Sequence, residues 1–167
     1  TGVTFNGQSM TKQFQKTDNT AVDAIFTLVL GSSLSSTTGN IVATSGNTNH
    51  GAKFITANSF YNVDQTTPVD SFKQAQNTIN PSVSSLTVIS AVGDMVFSIF
   101  DTWKNTSPTT FHTAGSGMVV QNTDNFSFGT GNGFGIYSTA LKVGANSVTT
   151  SWTTTNHEAL IEIAFNI

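Results

Sequence analysis

The sequence predicts an all-β chain, a sandwich or barrel of about ten short strands. Three observations carry that expectation. Apolar residues alternate with period 2 nearly everywhere, the spacing of a half-buried strand and not of a helix. Turn signals rich in Gly and Asn separate these runs at regular intervals, as they do in sandwiches and barrels. Thr, Ser and Asn number 28, 19 and 16 of the 167 residues, and β-branched Thr suits a pleated surface.

The elements follow in chain order. Residues 3–6 and 10–15 flank Asn6-Gly7, a two-residue hairpin signal. In residues 21–30, Val22, Ala24, Phe26, Leu28 and Leu30 share one face. Residues 41–44 and 52–61 are the next strand candidates, bounded by Thr38-Gly39-Asn40 and Ser45-Gly46-Asn47. After Pro68, residues 69–76 are the one stretch expected to coil into a helical turn. Further strands are expected at 83–90, 94–103, 118–121, 125–128, 134–141 and 147–154. In residues 94–103, Met95, Phe97 and Ile99 share one face and Val96 and Phe100 the other. The closing run, 157–167, alternates most cleanly. Ala159, Ile161, Ile163, Phe165 and Ile167 point one way, while Glu158, Glu162 and Asn166 point to a wet face. The expected core gathers Phe26, Leu28, Phe97, Ile99, Ile161, Ile163 and Phe165.

Length and composition bound the rest. The length of 167 residues suits one domain, 1–167. Charged residues make up only 9%, against about 25% in a typical soluble protein. A net charge of −3 with six Lys and no Arg lacks the basic footprint that nucleic-acid binding requires. Without Cys there are no disulfides and no thiolate chemistry. Apolar runs fall far short of the ~20 residues of a membrane helix, so membrane insertion is not expected. Thirteen Phe and two Trp argue for a packed core over disorder. The chain opens at Thr1-Gly2 and not at Met, which points to a removed leader or to a piece of a longer chain.

Candidate chemistry is sparse. Asp64-Gln65-Thr66-Thr67-Pro68 reads as a turn in which the Asp64 carboxylate caps backbone N–H groups. Gly129-Thr130-Gly131-Asn132-Gly133-Phe134-Gly135 lacks the spacing and the Lys of a phosphate loop and reads as a bulge or a close strand approach. His50, His112 and His157 have no chelating partner, because Glu158 beside His157 faces the other side of a strand. Calcium has better candidates in Asp18, Asn19 and Asp23, or Asn122 and Asp124, but no calcium loop joins them. No metal site and no cofactor are expected. Glu158 and Glu162 lie four residues apart, about 13 Å along a strand. That exceeds the ~6.5–9.5 Å of an inverting glycosidase pair. Gly115-Ser116-Gly117 is a turn and not a nucleophile elbow. Asn105 and Asn125 open glycosylation sequons.

Several runs resemble one known module. Gly2-Val3-Thr4-Phe5-Asn6-Gly7-Gln8-Ser9-Met10-Thr11 looks like its opening strand–turn–strand. Ser59-Phe60-Tyr61-Asn62-Val63-Asp64-Gln65-Thr66-Thr67-Pro68, Ala91-Val92-Gly93-Asp94-Met95-Val96 and Ser151-Trp152 continue the match in order. The module is a β-sandwich of secreted bacterial proteins and phage virion proteins. The resemblance implies an antiparallel, jelly-roll-like β-sandwich displayed on a surface, and no particular activity. Such modules carry an apolar strand before the Gly-Val-Thr segment, beside the closing strand. The resemblance therefore implies an open edge at Ala159, Ile161, Ile163 and Phe165, to be completed by a strand from another chain or from an upstream segment, unless residues 3–6 or another internal strand fill the place.

The expected function is that of a non-enzymatic structural protein. It would be a subunit of a virion, as a decoration or tail-associated protein, or of an extracellular assembly. Its partners would be copies of itself or other surface proteins, at an extracellular or virion surface. The alternatives are a carbohydrate-binding module that stacks sugars on Trp103, Tyr61 or Tyr137, and a fragment of a secreted glycan-active hydrolase.

Overall fold

A computed structural model of the chain describes residues 2–17, 22–31, 38–44, 46, 55–77, 82–104, 112–127, 134–144, 146–154 and 159–167. Among them the fold is all-β, with thirteen strands in four antiparallel sheets. In chain order these are β1 (Gly2–Phe5), β2 (Gln8–Ser9), β3 (Thr11–Thr17), β4 (Val22–Thr27), β5 (Ile41–Thr44), β6 (Phe72–Asn77), β7 (Val83–Ser90), β8 (Met95–Lys104), β9 (Thr113–Ala114), β10 (Val119–Ser127), β11 (Phe134–Val143), β12 (Asn146–Thr153) and β13 (Ala159–Asn166). The excess over ten comes partly from the two-residue strands β2 and β9. The chain divides into two compact units, Thr1–Pro68 and Val69–Ile167.

In the first unit β1 pairs with β2 and β5. Asn6 and Gly7 turn the β1–β2 hairpin with positive φ of 48° and 79°, the pair of left-handed residues that a tight hairpin demands. Asn6 Oδ1 accepts from Asn40 N at 3.0 Å and its Nδ2 donates to Thr38 O at 3.3 Å. The Asn6 side chain thereby fastens the hairpin to the residues that lead into β5. Separately, β3 pairs with β4 across a bulge between Lys12 and Phe14, and Ile25 is buried. The strand expected at 52–61 does not form over residues 55–61. In that run Phe60 and Tyr61 are adjacent and break the alternation, and Asn62 after it turns to a positive φ of 60°.

The second unit holds a five-stranded sheet, β10-β11-β8-β13-β6, and a three-stranded sheet, β7-β12-β9. Two sequence expectations are corrected here, and they are linked. Residues 72–77 form β6 and not a helical turn. Phe72, Gln74 and Gln76 alternate with Lys73 and Ala75, and pairing with β13 from Phe72 to Asn77 outweighs the turn signal of Pro68. Consequently β13 has no open edge. It pairs with β8 from Ala159 to Asn166 and with β6 from Leu160 to Phe165, so Ala159, Ile161, Ile163 and Phe165 belong to an interior strand.

Nor does β13 keep a wet face. Leu160, Ile161, Glu162, Ile163, Ala164, Phe165 and Asn166 are all buried. Two apolar clusters join the sheets of this unit. Val88 and Val148 pack with Val96 and Ala164. Trp152 packs with Phe100, Ala140 and Leu160. Of the residues expected in the core, Phe97, Ile161, Ile163 and Phe165 are buried, and Phe26, Leu28 and Ile99 are half-buried.

Candidate functional site

The chemistry-bearing groups of the described residues converge between β13, β8, β7 and β12. Glu162 lies mid-strand on β13 with 0% exposure. Ser84 of β7 donates to its Oε2 at 2.5 Å. Thr150 of β12 donates to Oε1 at 2.7 Å, and Ser98 of β8 donates to the same oxygen at 3.1 Å. Trp152 Nε1 in turn donates to Ser98 Oγ at 2.9 Å. Desolvation holds the Glu162 carboxyl above the usual carboxylate range, and the three hydroxyls oppose that shift. A buried carboxyl is tolerable when donors engage both oxygens, and costly when they do not.

A second network lies beside the first. His112 is buried, with Nε2 at 2.7 Å from Thr102 Oγ1 and Nδ1 at 2.9 Å from Ser138 Oγ. Ser138 reaches on to Thr123 Oγ1 at 3.1 Å. The imidazole ring packs edge-on against Phe100, with centroids 4.5 Å apart, and against Trp152 at 6.2 Å. A hydroxyl can donate or accept, so two of them satisfy either tautomer of a neutral ring. The two networks meet at Trp152, whose indole stacks on Phe100 at 5.6 Å and 7°.

These networks place polar groups where the alternation calls for apolar ones. Ser98 shares the parity of Val96 and Phe100, and Thr150 lies between Val148 and Trp152 two positions either way. Ser84 shares the parity of Leu86 and Val88. Three hydroxyls at core parity, with a glutamate on a strand otherwise fit for burial, were the signal available in the sequence. Reading Glu162 as the wet side of β13 missed it, because a strand buried on both faces still alternates.

Tyr137 is only 7% exposed and cannot stack on a sugar. Trp103 is half-buried on β8, opposite Gly135, while Tyr137 lies opposite Asp101 on the same face of the sheet. Tyr61, in the first unit, is 89% exposed. Asn125 is exposed on β10, and Asn105 lies outside the described residues. Glu158, His50, His157, Asp18, Asn19 and residues 129–133 lie outside them as well. Asp23 is half-buried on β4, and Asn122 and Asp124 are exposed on β10. Among the described residues no three His, Asp or Glu side chains group to hold a metal ion. Gly115-Ser116-Gly117 forms a turn closed by Met118 N to Gly115 O at 3.2 Å.

Two carboxylates, exposed Asp64 and half-buried Asp94, have turn-capping roles. Asp64 Oδ1 accepts from Thr66 N at 2.6 Å and Thr67 N at 2.9 Å, as the sequence reading expects. The Thr67 and Thr66 amides hold its pKa below the usual range. Asp94 Oδ2 accepts from Asn166 Nδ2 at 2.8 Å and Ala91 N at 2.7 Å. The Asn166 contact is the larger cause of its lowered pKa. Compared with protein-family models, curated proteins and solved structures, the chain matches none.

Proposed function

We propose that the chain is a non-enzymatic structural protein that assembles with copies of itself on an extracellular or virion surface. The observation that carries this reading is the fate of Glu162. Its carboxyl has no exposed surface, and three hydroxyls from three other strands engage its oxygens. Groups sealed in this way serve packing and pairing, and they offer no surface to a substrate. His112 is committed in the same manner. We further propose that the two sheets of Val69–Ile167 pack face to face as a jelly-roll-like β-sandwich. The Glu162 bonds from Ser84 and Thr150 and the Phe100–Trp152 stack support that packing. The likeness of residues 2–11 and 59–68 to surface modules of secreted bacterial and phage virion proteins points the same way.

The test is sedimentation equilibrium of the purified chain, with negative-stain microscopy of any larger species. Reversible oligomers or ordered particles are expected, and a monomer at every concentration contradicts the reading. One observation favours a second reading. Tyr61 presents a ring that is 89% exposed, suited to sugar stacking. Glycan-array binding that disappears in Tyr61→Ala would establish carbohydrate recognition.

A further inference from the structure

Asn6 and Gly7, which turn the β1–β2 hairpin, are both exposed. The Asn6 carboxamide is nonetheless held at both ends. Its Oδ1 accepts from Asn40 N at 3.0 Å and its Nδ2 donates to Thr38 O at 3.3 Å. The backbone N–H of Asn6 donates to Asn40 O at 3.0 Å. The carboxamide therefore works as an added peptide group, extending the β1–β5 ladder one step past the pair Phe5 and Ile41. Gly39 makes this possible, because a Cβ there would collide with Oδ1, Nδ2 and Cγ of Asn6. The carboxamide lies where a side chain at position 39 would stand.

An asparagine followed by glycine is open to attack by its own backbone, because no Cβ shields the next N–H. A bond from Gly7 N to Asn6 Cγ forms as the Cγ–Nδ2 bond breaks. The displaced nitrogen leaves as ammonia with the Gly7 amide proton, and a cyclic succinimide remains. Water then opens the ring at either carbonyl, to aspartate or to isoaspartate. No oxidant or reductant takes part. Both products spoil the clamp. Aspartate offers no donor to Thr38 O and sets an anion beside it. Isoaspartate adds a backbone methylene inside a turn whose flanking residues, Phe5 and Gln8, are paired. In the folded chain the carboxamide is engaged by Thr38 and Asn40, and both hydrogen bonds must break before it can turn back on Gly7 N.

We propose that Asn6 is a site of spontaneous deamidation that the seat over Gly39 holds in check, and that its reaction unfastens the β1–β2 hairpin from the approach to β5. Two hydrogen bonds of ordinary net worth amount to about tenfold in rate. The full chain is incubated in mildly alkaline buffer, with and without urea. The tryptic peptide ending at Lys12, in which Asn6 is the single Asn, is then followed by mass and by isoaspartate content. Deamidation of Asn6 is expected to be at least about tenfold slower in the folded wild type than in urea, and about tenfold faster in folded Gly39→Ala than in folded wild type. The other Asn-Gly pair of the sequence, Asn132-Gly133, is expected to react alike in wild type and Gly39→Ala. Equal Asn6 rates with and without urea overturn the proposal, and so does a Gly39→Ala rate equal to wild type. Equal acceleration at Asn132 overturns it too, because the variant then loosens the chain as a whole. Asn6→Asp mimics one product and reads the consequence directly. Its amide exchange over Gly2–Phe5 and Ile41–Thr44 is expected to rise above wild type, and unchanged exchange there overturns the unfastening. Should Gly39→Ala fail to fold, the urea comparison and Asn6→Asp decide the matter.

Discussion

Thr150 Oγ1 donates a hydrogen bond of 2.7 Å to Glu162 Oε1 and so ties β12 to β13, two strands that share no ladder. With Ser84 on β7 and Ser98 on β8 it surrounds one carboxyl with donors from three strands. A one-residue slip of β13 would turn Glu162 away from all three. The network therefore specifies register as well as adding stability.

Replacing Glu162 with Gln should flatten the pH dependence of stability. Burial raises the carboxyl above its ordinary value of 4.5. The folded chain thus keeps its proton where the unfolded chain has already lost it. That contribution is full below about pH 4.5 and is lost as the pH rises through the raised value. Asp64 and Asp94 act in the opposite direction, since their lowered values favour the folded state above the unfolded carboxylate range and that advantage is lost in acid. Their effect is common to both proteins. Urea unfolding from pH 4.5 upward is expected to show wild type losing stability relative to Glu162→Gln. Parallel curves would contradict the placement of this carboxyl.

Thr150→Val keeps the shape and deletes a donor. It should cost about 1–3 kcal/mol, the usual penalty for leaving a buried partner short of a hydrogen bond. The loss should be larger at neutral pH than in acid, because an ionised carboxyl needs the donor more. Chemical denaturation at two pH values measures both effects.

Trp152→Phe and Trp152→Ala separate packing from hydrogen bonding. Truncation to Ala empties the space between Phe100 and Leu160 and should cost about 3–5 kcal/mol. Phe keeps a ring against Phe100 but removes the donor to Ser98, so its cost should be clearly smaller. A Phe variant as unstable as Ala would assign most of the effect to the indole N–H.

Gly39→Ala should cost about 0.5–1.5 kcal/mol, the net worth of a typical hydrogen bond, because the side chain it displaces is exposed and can swing away. A Cβ there would collide with the Asn6 side chain, which caps the residues leading into β5. The double variant with Asn6→Gly, which clears the space and keeps the left-handed turn residue, should recover part of the loss in a thermal melt.

Alternation made the antiparallel strands legible because each carries its own period, and β7, β8, β11 and β12 lie close to where it points. It could not reveal what borders a strand. Phe72–Asn77 carries a weak, polar alternation after a proline, and only its pairing with β13 makes it a strand. That same pairing removes the open edge expected at Ile161 and Ile163. Alternation also cannot distinguish one covered face from two. On β13 the polar residue of the presumed wet face, Glu162, is as buried as Ile163. Trp103 and Tyr137 were legible as aromatics on strands, but the adjacency of β8 and β11 comes from the sheet order, and the burial of Tyr137 depends on what covers its face.

Amide hydrogen exchange of β13, followed residue by residue, tests the central claim most directly. With ladders on both sides and both faces buried from Leu160 to Phe165, these amides should exchange only on global unfolding and rank among the slowest in the chain. Rapid exchange along Leu160 to Phe165, at rates like those of an exposed edge, would contradict the interior placement of β13 and the role given to Glu162.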